Sequence, residues 1–148
     1  MSIKWDLRFL NLAQHIAEWS KDPSTKVGAI IASPDNKVIS MGFNGFPQSM
    51  SDSAECLNNR EEKYSRVIHA EMNALIFSGK DVTGCTLYTS LFSCDRCFVH
   101  LAQSGIRRFV SPEPSMEHLA RWADSFDRVK KYAKEMDLEL VVYNIDNP

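Results

Sequence analysis

The strongest constraint on the fold lies in the second half of the chain, where short apolar runs alternate with stretches of helical period. Residues 85–89 (CTLYT), 106–110 (IRRFV) and 138–143 (LELVVY) have the length and the β-branched or aromatic content of strands. Between them, 95–104 places Phe98, Leu101 and Ala102 on one helical face and ends at Gly105. The stretch from about 116 to 136 does the same with Leu119, Trp122, Phe126, Val129, Ala133 and Met136. Strand–helix–strand repeats imply parallel strands joined by crossovers.

The first half completes the pattern differently. Trp5, Phe9, Leu12, Ile16 and Trp19 form the stripe of an amphipathic helix, which Asp22-Pro23 stops. Residues 27–32 (VGAIIA) and 38–43 (VISMGF) read as two antiparallel strands joined by the turn cluster SPDNK. Residues 44–66 are polar and turn-rich, a long loop with a short helix near its end, and loops of that length in compact domains are usually functional. A helix over 70–78 puts Met72, Leu75 and Ile76 on one face. The order α-β-β-α-β-α-β-α-β predicts one domain over 1–148, a three-layer α/β/α sandwich with a mixed five-stranded sheet.

Charge and cysteine content narrow the function. Lys plus Arg number 17 against 19 Asp plus Glu, a net charge of −2, which disfavours nucleic-acid polymers because their binding rests on neutralising many phosphates. No apolar run is long enough to span a membrane, and the charged N-terminal stretch is unlike a signal peptide, so a cytoplasmic protein with no membrane partner is expected. In such a compartment the four cysteines, Cys56, Cys85, Cys94 and Cys97, read as buried thiols, metal ligands or catalytic groups rather than disulfides.

Two motifs carry the chemistry, both at expected helix starts. His69-Ala70-Glu71 and Cys94-Asp95-Arg96-Cys97 supply one imidazole and two thiolates, enough for a tetrahedral zinc that keeps its fourth position for water. Helix starts favour thiolates through their dipole and free N–H groups. Glu71 is too close to His69 to share the ion, and is placed to take a proton from a metal-activated water. Alone, the Cys-x-x-Cys pair fits a redox couple as well. The pairing of H-x-E with a later C-x-x-C is the pattern of zinc nucleobase deaminases.

The sequence resembles the cytidine and deoxycytidylate deaminase superfamily, and within it the deoxycytidylate (dCMP) branch, over about residues 5 to 143. The matching stretches are SKDPSTKVGAII (20–31), GFNGFP (42–47), NNREEKYSRVIHAEMNAL (58–75), GCTLYTSLFSCDRC (84–97) and SGIRRFV (104–110). The resemblance implies a cytidine deaminase-like fold and hydrolysis of dCMP to dUMP and ammonia, in pyrimidine nucleotide metabolism. It gives one Zn2+ per chain, held by His69, Cys94 and Cys97, with Glu71 as proton carrier to ring N3 and then to the leaving amine. It assigns the backbone around Ala70 to the pyrimidine edge and Asn44 to the nucleoside. It also implies a homo-oligomer and makes dCTP and dTTP candidate regulators. Other readings are a deaminase of a free nucleoside, a base or a base in nucleic acid, or a non-catalytic binding member. Retention of Glu71 beside all three ligands argues against the last.

Two positions depart from the family pattern. Ser93 stands where the family usually has proline before the first zinc cysteine, and serine can serve there as an N-cap. Ser111 replaces a tyrosine common near the substrate. For a substrate phosphate, Lys26, Arg60, Lys63 and Arg66 are the candidate cations, with Lys26 favoured by its place at the start of a strand. Arg107, Arg108, Lys130 and Lys131 read as surface charges, and His15, His100 and His118 as structural. Trp5, Trp19 and Trp122 read as core or interface, while Phe46 and Phe92 are candidates to stack on a base.

Overall fold

A computed structural model describes residues 2–144. The chain opens with α1 (Ile3–Ala17), capped by the Ser2 hydroxyl, which accepts from the Lys4 N–H. Strands β1 (Gly28–Ala32) and β2 (Val38–Phe43) follow. Two short helices, α2 (Ala54–Asn58) and α3 (Arg60–Arg66), occupy the expected long loop, capped by Ser53 and Asn59. The rest alternates as α4 (Ala70–Ile76), β3 (Thr86–Thr89), α5 (Asp95–Gln103), β4 (Arg108–Pro112), α6 (Met116–Glu135) and β5 (Glu139–Tyr143).

The five strands form one mixed sheet in the order β2-β1-β3-β4-β5. β1 is antiparallel to both β2 and β3, while β3, β4 and β5 run parallel through the α5 and α6 crossovers. Pleating splits the registered residues into two rows. Ile31, Leu87, Phe109 and Leu140 face α4, α5 and α6. Ile30, Tyr88, Val110 and Val141 face α1. This is the expected α/β/α sandwich, with helices on both sides of a mixed five-stranded sheet.

Local chemistry explains the junctions. Gly105, at φ +100°, ends α5 in the left-handed region, and a Cβ there would meet Thr83 at 2.7 Å. Gly42 lets α4 lie directly on β2, since a Cβ would fall 2.5 Å from the Ala74 nitrogen and 2.6 Å from the Ala70 carbonyl oxygen. The Ser40 hydroxyl donates to the Ala74 carbonyl and the Asn73 amide to the Phe43 carbonyl, fixing α4 along the same strand.

Several expected core positions are corrected. In α1 the buried face is Asp6, Phe9, Leu10, Ala13, Ile16 and Ala17, so Leu12 and Trp19 are exposed and Trp5 only half-buried. The stripe turns because Asp6 goes inward to Arg108. That arginine is no surface charge: it is 7% exposed, and its guanidinium donates to Asp6 Oδ1 at 2.7 Å and Oδ2 at 2.6 Å. In α4 the buried residues are Ala70, Glu71 and Ala74, because the close approach to β2 admits only small side chains; Ile76 is exposed. In α6, Phe126, Val129 and Ala133 are buried as expected, while Trp122 and Met136 are exposed. His15 and His100 are exposed, and Cys85 is buried.

Candidate functional site

The two motifs meet at the N-terminal ends of α4 and α5, on the sheet face that both helices cover. His69 takes the N-cap position of α4. It follows Ile68, which exchanges two backbone hydrogen bonds with Gly45 at 3.1 and 2.8 Å, so the chain just past β2 sets the height of the imidazole. Cys94 takes the N-cap position of α5, and the Phe98 N–H bonds to its carbonyl at 3.0 Å. Ser93 therefore lies one residue too early to cap the helix. The cap is supplied from α6: the Ser125 hydroxyl accepts from the Asp95 N–H at 2.9 Å and donates to the Asp95 carboxylate at 2.7 Å. Ser93 is buried instead.

The donor atoms of His69, Cys94 and Cys97 all lie within 4.8 Å of one another. His69 Nδ1 is 3.2 Å from Cys97 Sγ and 3.6 Å from Cys94 Sγ. The electrostatics suit a cation. The hydrogen bond between the two sulfurs pulls the Cys94 thiol well below its ordinary value and, with burial, holds Cys97 above its own. The hydrogen bond to Cys94 raises His69. One imidazole and two sulfurs within reach of one ion match zinc in ligand type and number.

Glu71 sits in the first turn of α4, 4% exposed. Burial raises its carboxyl above the usual range, outweighing the opposing pull of its backbone hydrogen bond and of His69. His69, Ala70, Glu71 and Cys94 line one end of a cavity of about 590 Å³. Phe92 also lines it, buried and packed edge-on against Phe126 at 4.8 Å between centroids.

The other expected residues are sorted by this cavity. Asn44 lines it, but its amide also holds the wall: Nδ2 donates to the Thr25 carbonyl and Oδ1 accepts from the Val27 N–H, both at 2.9 Å. Lys26, expected at the substrate, is exposed and off the cavity wall, while its neighbours Thr25 and Val27 line it. Alternation along the segment turns Lys26 outward. Arg66 is also off the wall and donates to Glu62 at 2.8 and 2.9 Å. Arg60 and Lys63 are on it. Ser111 is buried in β4, away from the cavity. The lining residues that were not expected include Asp22, His118, Arg121 and Trp122. Asp22 carries the signal of an Asx turn, its carboxylate accepting from the Ser24 and Thr25 N–H groups at 2.8 and 3.1 Å. His118, Arg121 and Trp122 share one helical face by spacing, but nothing local says that this face borders a site.

Comparison with known proteins agrees with this geometry. Residues 3–112 match the family model described as the cytidine and deoxycytidylate deaminase zinc-binding region. A protein of Aliivibrio fischeri named as an uncharacterised deaminase of the luxG 3′ region is 37% identical over 146 residues, 99% of this chain and 98% of its own length. The deoxycytidylate deaminase of Mus musculus is 38% identical over 116 residues, 73% of this chain. The match spans 64% of the mouse protein's length. The dCMP deaminase of cyanophage S-TIM5, solved in complex with dCMP and dUMP, superposes with a TM-score of 0.76 at 21% identity, covering 97% of this chain and 99% of its own. A family match over most of the chain, on a fold that brings His69, Cys94 and Cys97 within reach of one ion beside buried Glu71, places this chain in the cytidine and deoxycytidylate deaminase zinc-binding family.

Proposed function

We propose that this protein hydrolyses dCMP to dUMP and ammonia, acting on a small-molecule nucleotide in the cytoplasm. The carrying observation is buried Glu71, lining the cavity beside the His69, Cys94 and Cys97 cluster. The relatives named above as deoxycytidylate deaminases support the choice of substrate.

His69, Cys94 and Cys97 would hold zinc, which when bound supplies the Lewis acidity that makes water nucleophilic at neutral pH. Glu71 takes the proton of the attacking water, passes it to ring N3 and delivers a proton to the amine leaving C4. Burial suits it to this exchange, because a raised carboxyl brings giving and taking a proton closer in energy. Ala70 lines the cavity at the first turn of α4, where backbone N–H groups lack helical partners and can meet the pyrimidine edge. Asn44 keeps one amide hydrogen beyond its bond to Thr25, and this reaches the nucleoside. Phe92 walls the base side and excludes water. Self-association fits the exposed apolar residues Val38, Met41 and Phe43 on edge strand β2, and sedimentation of the purified protein tests it.

Glu71→Gln is the direct test. It keeps the shape of the side chain and removes the proton carrier. Ammonia release from dCMP should fall by roughly a hundredfold to ten-thousandfold, with zinc content unchanged. Turnover at the wild-type rate in a zinc-loaded Glu71→Gln protein defeats the mechanism.

A further inference from the structure

Three cationic side chains line the cavity: Arg60 and Lys63 from α3, and Arg121 from α6. They are not equivalent. Lys63 is taken up by the wall itself. Its ammonium lies 3.2 Å from Asp22 Oδ1 and 2.5 Å from Ser24 Oγ, with both charged groups largely buried. Arg60 lies over the Tyr64 ring, 5.5 Å from its centroid. Among the described residues, neither Arg60 nor Arg121 has a carboxylate at ion-pair distance. Helices α3 and α6 do not pack on each other; both border the cavity. Two unneutralised guanidiniums therefore face one cavity from separate helices, and the same cavity is lined by Glu71, His69 and Cys94. His118, one helical turn before Arg121, lines the same wall, its Nδ1 held 2.8 Å from Ser115 Oγ.

We propose that Arg121, together with Arg60, reads the 5′-phosphate of the substrate, so that α6 supplies the determinant that separates a nucleotide from a nucleoside. The proposal rests on the dCMP reading above. A guanidinium presents paired N–H donors that match a phosphate, and at a cavity mouth it adds affinity without touching the reacting carbon. Arg121 lies beyond residues 3–112, the stretch that matches the family model, so this selectivity is a property of the chain's own C-terminal helix. Lys63, already paired, contributes shape: it ties α3 to the 22–25 turn and holds Arg60 in place.

The test compares zinc-loaded wild type, Arg121→Ala, Arg60→Ala and Arg121→Lys on dCMP and on deoxycytidine, with calorimetric binding of dUMP alongside. Arg121→Ala should lower kcat/KM for dCMP by about tenfold to a hundredfold, mainly through KM, as for a lost hydrogen bond to a charged group. Its deoxycytidine turnover and zinc content should match wild type, dUMP affinity should fall in parallel, and Arg121→Lys should recover part of the loss. Raised salt should shrink the wild-type preference for dCMP. If wild type prefers dCMP and Arg121→Ala keeps that preference, or if both substrates suffer equally, the inference fails and the dCMP reading stands. If wild type shows no preference for dCMP over deoxycytidine, the dCMP reading fails and takes the inference with it.

Discussion

Two of the molecule's buried charge clusters lie on opposite faces of the same sheet. On the α1 face, Asp6 is wholly buried and every oxygen is answered from within the chain. Arg108 donates to both, the Tyr88 hydroxyl donates at 3.0 Å and the Tyr143 hydroxyl at 2.6 Å. Glu139 takes the remaining Arg108 Nε at 3.0 Å. On the α4–α5 face, Glu71 and Cys97 are buried beside His69 and Cys94, and Glu71, His69 and Cys94 open onto a cavity. The pKa directions record the contrast. Burial raises Asp6, yet the Arg108, Tyr143 and Tyr88 hydrogen bonds more than offset it and leave the carboxyl below its usual value. Burial raises Glu71, and there its partners do not recover the loss. Tyr143, donating a hydrogen bond to Asp6, is pushed up to about 12, by burial first and that bond second. A buried charge answered by its own chain holds structure. One left short of partners beside a cavity is available for chemistry.

Removing a partner from the closed cluster should do the greater harm to stability. Asp6→Ala strands the Arg108 guanidinium, and losing one half of a buried pair costs about 3–5 kcal/mol. Urea denaturation should show it, with the zinc content of the folded protein retained. Replacing both charges, Asp6→Leu with Arg108→Met, should recover most of the loss. If the double variant is no better than Asp6→Ala, the cluster does more than satisfy itself.

The open cluster should respond to an added cation where the closed one does not. At free zinc about a hundred times its Kd, wild type should gain about 2.7 kcal/mol against unfolding. A chelator should reverse the gain, and Cys97→Ser should show none. A thermal melt with and without zinc decides this. An equal gain in Cys97→Ser would mean that the ion binds elsewhere.

The smallest effect is in acid. A carboxyl lowered by folding stabilises fully above its unfolded value, here 3.8 for Asp6, and that contribution drains away as pH falls through the lowered folded value. Asp22 shifts the same way: burial raises it, and the Ser24 and Thr25 N–H bonds and Lys63 overcome this. Stability should therefore drop steeply on the acid side of the ordinary carboxylate range. The Asp6→Asn protein should be less stable at neutral pH and show a shallower acid limb. Parallel limbs would remove Asp6 as the source.

Much of the fold was legible because its signals are local. The strand–helix alternation after residue 84 needs only period and turn chemistry, and the helix end at Gly105 follows from capping. What misled was side-chain phase. The α1 stripe drawn through Leu12 and Trp19 is the apolar solution, but the chain buries Asp6, a preference set by Arg108 at a sequence separation of 102. Ile76 is exposed because α4 presses its small residues on Gly42, a close approach visible only once β2 and α4 are docked.

The candidate site divides along the same line. His69 with Glu71, and Cys94 with Cys97, are pairs set by adjacency in the chain, so the sequence by itself determined which candidate ligands and which carboxylate stand together at each helix start. A ligand pair at a helix start keeps its relative geometry wherever the helix is placed. The cavity around them is assembled from α3, the 22–25 turn and α6, segments far apart in sequence whose meeting depends on packing across the sheet. Lys63 is neutral in effect because Asp22 folds onto it, Lys26 is turned away, and Arg121 borders the cavity because Phe126 and Val129 on the same helix are buried in the core. Tertiary structure alone decided which charges face the cavity, because charge is matched by contact in space and not by spacing along the chain.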